Sequence, residues 1–99
     1  MHRRRLIIEG RVQRVGYRAF AQRAARLLRV NGWVRNRSDG SVELVAEGDE
    51  SSLASLVKSL NKGPRAAIVT KVDAVTGSTE ETFSDFEIRP TVNMEDNQE

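Results

Sequence analysis

Hydrophobic and polar positions alternate at the start of the chain. Leu6, Ile8, Gly10 and Val12 fall on one side, and Arg5, Ile7, Glu9 and Arg11 on the other. A period of two predicts a strand with one buried face. From Arg18 to Val30 the period lengthens. Phe20, Ala24, Leu27 and Leu28 lie at i, i+4, i+7 and i+8, an amphipathic helical stripe, with Gln22, Arg23, Arg26 and Arg29 outside it. Asn31 and Gly32 both tolerate a left-handed backbone and are expected to stop this helix. In GWVRNRSDGSVELVAEG, two strand-like runs flank Asp39-Gly40, a favoured hairpin turn pair, and Val42, Leu44 and Ala46 share a face. After Gly48 and Asp49, the spacing of Leu53, Leu56, Val57 and Leu60 predicts a second helix, ended by Gly63-Pro64. AAIVTKVDAV reads as a strand with Ile68, Thr70, Val72 and Ala74 on one side. GSTEET reads as a polar loop and FSDFEI as a short edge strand. The residues after Pro90 are acidic and poor in apolar side chains, so a mobile tail is expected there.

The order is strand, helix, strand, strand, helix, strand. Two strand–helix–strand halves with right-handed crossovers share a central hairpin. This predicts an α+β class, a ferredoxin-like βαββαβ sandwich. Its antiparallel sheet carries two helices on one face and an extra short C-terminal edge strand. Residues 1–90 are expected to form the domain and 91–99 the tail. Such a fold hosts many functions, so function has to be argued from a site.

Composition narrows the classes. The 99 residues suffice for one domain with a modest core, and 38% apolar with 30% charged residues is a globular balance. No apolar run approaches the roughly 20 residues that span a membrane, and no secretory leader is expected. The absence of cysteine excludes disulfides. With His2 as the only histidine, neither a transition-metal site nor a cofactor is expected. The expected location is the cytoplasm. The net charge of +2 hides an asymmetry. Residues 1–40 carry eleven arginines against Glu9 and Asp39, a balance of +9, whereas residues 41–99 carry five basic and twelve acidic residues, a balance of −7. A positive half suits a nucleic acid or a small anionic substrate. Most of its arginines read as a solvated face.

The stretch GRVQRVGYRAF, Gly10 to Phe20, concentrates the chemistry. In this reading it ends the first strand, turns, and opens the first helix. The first N–H groups of a helix lack internal partners and carry the positive end of its dipole, a ready anion site. Gly16 allows a sharp turn. Arg18 adds a planar fork that matches two oxygens of a phosphate or carboxylate. A cation at a helix N-terminus opposes the dipole, so a bound anion would account for it. Asn36 stands late in the second strand, on the face of Val34, where a carboxamide must find hydrogen bonds. Tying down the turn is one role for it, and serving a site is another.

Together these segments resemble the acylphosphatase family. The family's first motif runs glycine, any residue, Val-Gln-Gly-Val, any residue, aromatic, Arg; Gly10, Val12, Gln13, Val15, Tyr17 and Arg18 fit it. Its second motif is fitted by Gly32, Trp33, Val34, Arg35, Asn36, Gly40, Val42 and Gly48, and GPRAAIVTKV is similar to a later Gly-Pro segment. The resemblance covers about Leu6 to Ile88. It implies hydrolysis of a carboxyl-phosphate bond to a carboxylate and inorganic phosphate, without metal. It further implies that Arg14, Val15, Gly16, Tyr17 and Arg18 form a loop cradle for the phosphoryl group. Arg18 would be its side-chain clamp, and Asn36 would orient the attacking water. The chain departs from the motif at Arg14, where the family usually has glycine, and mildly at Tyr17, where phenylalanine is commoner. If position 14 takes a positive φ, an arginine there costs about 1–2 kcal/mol.

The expected partner is therefore a small acyl phosphate, met by a monomer, with no metal and no membrane. Two other readings compete. One is a catalytically silent anion-binding domain of the same fold, for which Arg14 is the main support. The other is an RNA-binding module, suggested by topology and by VGYRAF. That module needs aromatics exposed on a central strand, and here the segment lies at a loop–helix junction.

Overall fold

The computed structural model describes residues 1–77 and 80–94. Its elements are β1 (His2–Arg11), α1 (Tyr17–Leu27), β2 (Asn31–Asn36), β3 (Val42–Gly48), α2 (Glu50–Lys62), β4 (Ile68–Ala74) and β5 (Phe86–Ile88). They form one five-stranded sheet in the order β4-β1-β3-β2-β5. Leu6, Ile8 and Val12 of the first strand, Val42, Leu44 and Ala46 of the hairpin, and Leu53, Leu56 and Leu60 of α2 meet in one core on the helix-bearing face. Those are the residues that periodicity placed inward, because burying them removes the apolar stripe of each element from water. No helix among the described residues is long and apolar enough to cross a membrane.

The sheet is mixed rather than wholly antiparallel. The first four strands pair antiparallel, but β5 lies parallel to β2, with Gly32 opposite Phe86 and Val34 opposite Ile88. The reason is the path of the chain. β4 forms one edge and runs toward the end of the sheet where β2 begins. The chain then crosses to the opposite edge, so β5 starts beside the start of β2. The crossing lies on the face without helices, where Arg5 reaches the Thr76 carbonyl and Arg3 the Glu81 carbonyl.

Three details depart from the periodic reading. First, α1 buries Tyr17, Ala21 and Ala25, while Leu27 is 86% exposed. Small alanines let the helix approach the sheet closely, so the inner face is rotated from the bulkier stripe. Phe20, Ala24 and Leu28 instead border a groove against Ser55 and Ser59 of α2. Second, α1 ends at Leu27 and is closed off by Arg29, not by Asn31-Gly32. Arg29 takes φ 59°, and the N–H groups of Arg29 and Val30 return to the carbonyls of Arg26 and Ala25. That is the Schellman arrangement, with arginine at the position glycine usually fills. Gly32 serves the sheet: a Cβ there would lie 1.9 Å from the Val45 carbonyl oxygen. Third, β4 shifts register opposite Glu9 and Gly10. Across this bulge Val69 and Val72 both pack on the core, while Ile68, Thr70 and Ala74 are exposed.

Beyond β5 the chain continues beside the hairpin. The Val92 N–H donates to the Asn36 carbonyl at 3.0 Å, and the Ser38 N–H donates to the Val92 carbonyl at 3.0 Å. The rest of the expected tail, 95–99, and positions 78 and 79 of the expected polar loop lie outside the described residues.

Candidate active site

The turn between β1 and α1 is built by two departures from ordinary backbone, on either side of Val15. Arg14 has φ 63°, and Gly16, the N-cap of α1, has φ 77°. Both are left-handed, which glycine adopts freely and arginine only at a cost. The Phe20 N–H closes the first helical turn on the Gly16 carbonyl at 3.1 Å. None of the backbone N–H groups of residues 14–19 donates a hydrogen bond among the described residues. The first turn of α1 contains no acidic residue, and Arg18 stands in it. This is a cluster of free donors and one guanidinium at the positive end of a helix dipole.

Neighbouring side chains hold the turn in place. Gln13 Nε2 donates to the carbonyls of Arg37 at 2.8 Å and Ser41 at 2.9 Å, fastening the turn to the β2–β3 hairpin. Tyr17 is 1% exposed, and its hydroxyl donates to the Leu60 carbonyl at 2.7 Å, anchoring α1 to the end of α2. Burial pushes the Tyr17 phenol up, so it stays neutral and donates. Val15 packs toward the core.

Beside this turn lies a cleft of about 230 Å³. Of the residues expected at the site, Arg14, Gly16, Tyr17, Arg18 and Asn36 line it. Val15 does not, and Tyr17 commits its side chain to the core, so these two can offer a ligand only their main chain. Val12, Ala19 and Ile88 complete the walls. Val12 is itself a motif position and Ala19 directly follows the motif, so both were within reach of sequence reasoning. Ile88 arrives only because β5 docks on β2, a pairing no local pattern encodes. Asn36 is 9% exposed, and its Oδ1 is buried without a hydrogen-bond partner among the described residues. An unpaired buried acceptor costs about 1–3 kcal/mol. Its backbone is held on both sides, by pairing with Val42 in β3 and by the Val92 N–H.

The tertiary structure sorts the arginines of the positive half. Arg3 pairs with Glu47 at 2.6 Å, Arg5 and Arg35 both pair with Glu43 at 2.5 and 2.8 Å, and Arg26 pairs with Asp85 at 2.9 Å. Burial pushes the Glu43 carboxyl up. The hydrogen bonds and charges of Arg5 and Arg35 together outweigh burial and hold it below the usual carboxylate range. A larger recess of about 450 Å³ opens on the face without helices, but Arg3, Arg5, Arg35 and Arg89, which line it, are all engaged with carboxylates. At the small cleft, Arg14 and Arg18 have no carboxylate within ion-pair distance among the described residues. Uncompensated positive charge therefore stands beside the free N–H groups, as among the described residues it also does at Arg23 and Arg29 outside the cleft. The aromatics of VGYRAF do not form a stacking platform: Tyr17 is buried, and Phe20 lies half-buried 6.2 Å from it, ring centre to ring centre.

A ferredoxin-like sandwich with a small arginine-lined cleft at its first strand–helix junction defines the class. Comparison with known proteins narrows it. The Acylphosphatase family model matches residues 4–88. An acylphosphatase of Salinibacter ruber is 50% identical over 82 residues, 83% of this chain and 86% of the relative. One of Cupriavidus necator is 49% identical over 88 residues, 89% of this chain and 94% of the relative. The crystal structure of acylphosphatase from Bacillus subtilis superposes with a TM-score of 0.84 at 39% identity, covering 90% of this chain and 99% of that one. The chain belongs to the acylphosphatase family, whose members are hydrolases.

Proposed function

We propose that the cleft hydrolyses the carboxyl-phosphate bond of acyl phosphates through three groups of this chain. The main-chain N–H groups of residues 14–18 and the Arg18 guanidinium hold the phosphoryl oxygens. The Asn36 carboxamide holds a water in line with the bond to be broken. The water oxygen attacks phosphorus, the phosphorus–oxygen bond to the acyl group breaks, and the electron pair leaves on the carboxylate. The products are a carboxylate and inorganic phosphate, with one proton released to solvent. The conjugate acid of the leaving group has a pKa of roughly 4, so no strong general acid is required. Phosphoryl transfer depends mainly on positioning and on stabilising charge spread over the equatorial oxygens. Fixed N–H groups and one guanidinium supply that stabilisation without reorganising. No step requires a metal.

The observation that carries this reading is the joint placement of Arg18, free main-chain donors and the unpaired Asn36 Oδ1 on one cleft. The cleft is built within one chain, which supports action as a monomer. The cysteine-free composition supports a cytoplasmic location. The test is turnover of benzoyl phosphate in excess chelator. Hydrolysis well above the spontaneous rate is expected, and a rate equal to background refutes the reading.

A further inference from the structure

We infer that Arg14 determines substrate specificity within this cleft, selecting acyl phosphates whose acyl portion carries a second anionic group. The inference rests on the acyl-phosphate reading above. Arg14 lines the same cleft as Arg18 and Asn36. It sits two residues before the helix N-cap, on the rim of the proposed phosphoryl cradle, and its side chain is exposed. Its backbone takes φ 63°, a conformation that disfavours any residue but glycine, or Asn and Asp less strongly. Arg29 takes a similar φ of 59° at the end of α1, so the backbone alone does not mark a site; what sets Arg14 apart is its place on the cleft. Its guanidinium makes neither an ion pair nor a hydrogen bond among the described residues, so it is uncommitted there. This contrasts with Arg3, Arg5, Arg35 and Arg89, each held by a glutamate.

The cleft then presents two cations with different duties. Arg18, in the first helical turn beside the free N–H groups, faces one phosphoryl group. Arg14, the exposed arginine of the lining, is assigned the acyl portion. Val12 and Ile88 offer that portion apolar walls but no polar partner. A carboxylate or second phosphate on the acyl chain would find its one charged contact at Arg14. Because Arg14 meets a part of the substrate that does not react, its contribution is uniform binding and falls on KM rather than kcat.

The test compares two substrates of equal shape, para-carboxybenzoyl phosphate and para-carbamoylbenzoyl phosphate. The expected kcat/KM ratio in the wild type is about fivefold in favour of the carboxylate, the upper range for an exposed ion pair, and it shrinks with added salt. The ratio should fall to about one in Arg14→Gln, which removes the charge while keeping an L-residue at the strained position. Arg14→Lys should retain most of it. A wild-type ratio of one, or a ratio unchanged in Arg14→Gln, overturns the inference while leaving acyl-phosphate hydrolysis in place. Turnover of neither substrate by the wild type overturns both.

Discussion

The Gln13 carboxamide donates to the Arg37 carbonyl at 2.8 Å, and this bond joins the two halves of the candidate site. Gln13 precedes the turn that presents Arg18, and Arg37 directly follows Asn36. The same Nε2 also reaches the Ser41 carbonyl. Both carbonyls keep a second donor, the Gly40 N–H for Arg37 and the Arg37 N–H for Ser41. Gln13→Ala therefore removes two hydrogen bonds without orphaning an acceptor, a loss of about 1–2 kcal/mol. We expect the urea midpoint to drop accordingly. We also expect kcat to fall about tenfold, since loosened positioning reaches the chemistry. Unchanged kcat in a less stable variant would reduce Gln13 to a structural tie.

Arg18→Ala and Asn36→Ala should each lower kcat/KM for benzoyl phosphate by about 10²–10³, the scale for removing one oxyanion-stabilising group. Their effects on stability should be small. Arg18 has no side-chain partner to lose among the described residues, and Asn36→Ala deletes an oxygen that is buried and unpaired among them. Thermal unfolding within about 1 kcal/mol of wild type, measured beside activity, separates a site role from a folding role. A large loss of stability in Arg18→Ala would contradict this assignment.

Two arginines carry left-handed backbone, Arg14 at φ 63° and Arg29 at φ 59°. Glycine at either position should stabilise the protein by about 0.5–1 kcal/mol, the relief of φ strain less the extra entropy of an unfolded glycine. Arg29→Gly lies at the end of α1, away from the cleft, and should leave turnover of benzoyl phosphate unaltered. Chemical denaturation of both variants tests this. Destabilisation by Arg29→Gly would mean that its side chain contributes more than its backbone costs.

Glu43 sets a pH dependence of stability. Its carboxyl is held below the usual range by Arg5 and Arg35 in the fold, and it has no such partners in the unfolded chain. The folded state therefore binds this proton less readily than the unfolded state. The stabilisation is complete above the unfolded carboxylate pKa of about 4.3 and is lost as pH falls through the lower folded value. Urea midpoints should be flat from pH 7 to about pH 5 and then decline. Asp39 and Asp85, whose carboxyls are also lowered, add to the decline. Glu43→Gln should lower stability by about 2 kcal/mol at pH 7, less than a fully buried pair because both arginines are about one-third exposed, and should flatten the profile. An acid limb as steep in Glu43→Gln as in wild type would exclude Glu43 as its source.

Much of this protein is legible in local patterns. The period-two run of β1, the leucine spacing of α2, the Asp39-Gly40 turn and the motif positions Gly16, Arg18 and Asn36 each depend on residues close in sequence. The sequence by itself therefore determined the order of elements, most of the buried set and the residue types of the candidate site. Tertiary structure decided what depends on distance. The inner face of α1 turned to Tyr17, Ala21 and Ala25 because close approach to the sheet favours small side chains over the more hydrophobic stripe. The direction of β5 followed from the path around two sheet edges, and with it came Ile88 as a cleft wall. A count of charges along the chain could not distinguish one arginine from another. Pairing across strands neutralised Arg3, Arg5 and Arg35, whose carboxylates lie 8 to 44 positions away. Among the described residues it left Arg14 and Arg18 uncompensated at the cleft, because the strength of an ionic contact follows separation in space.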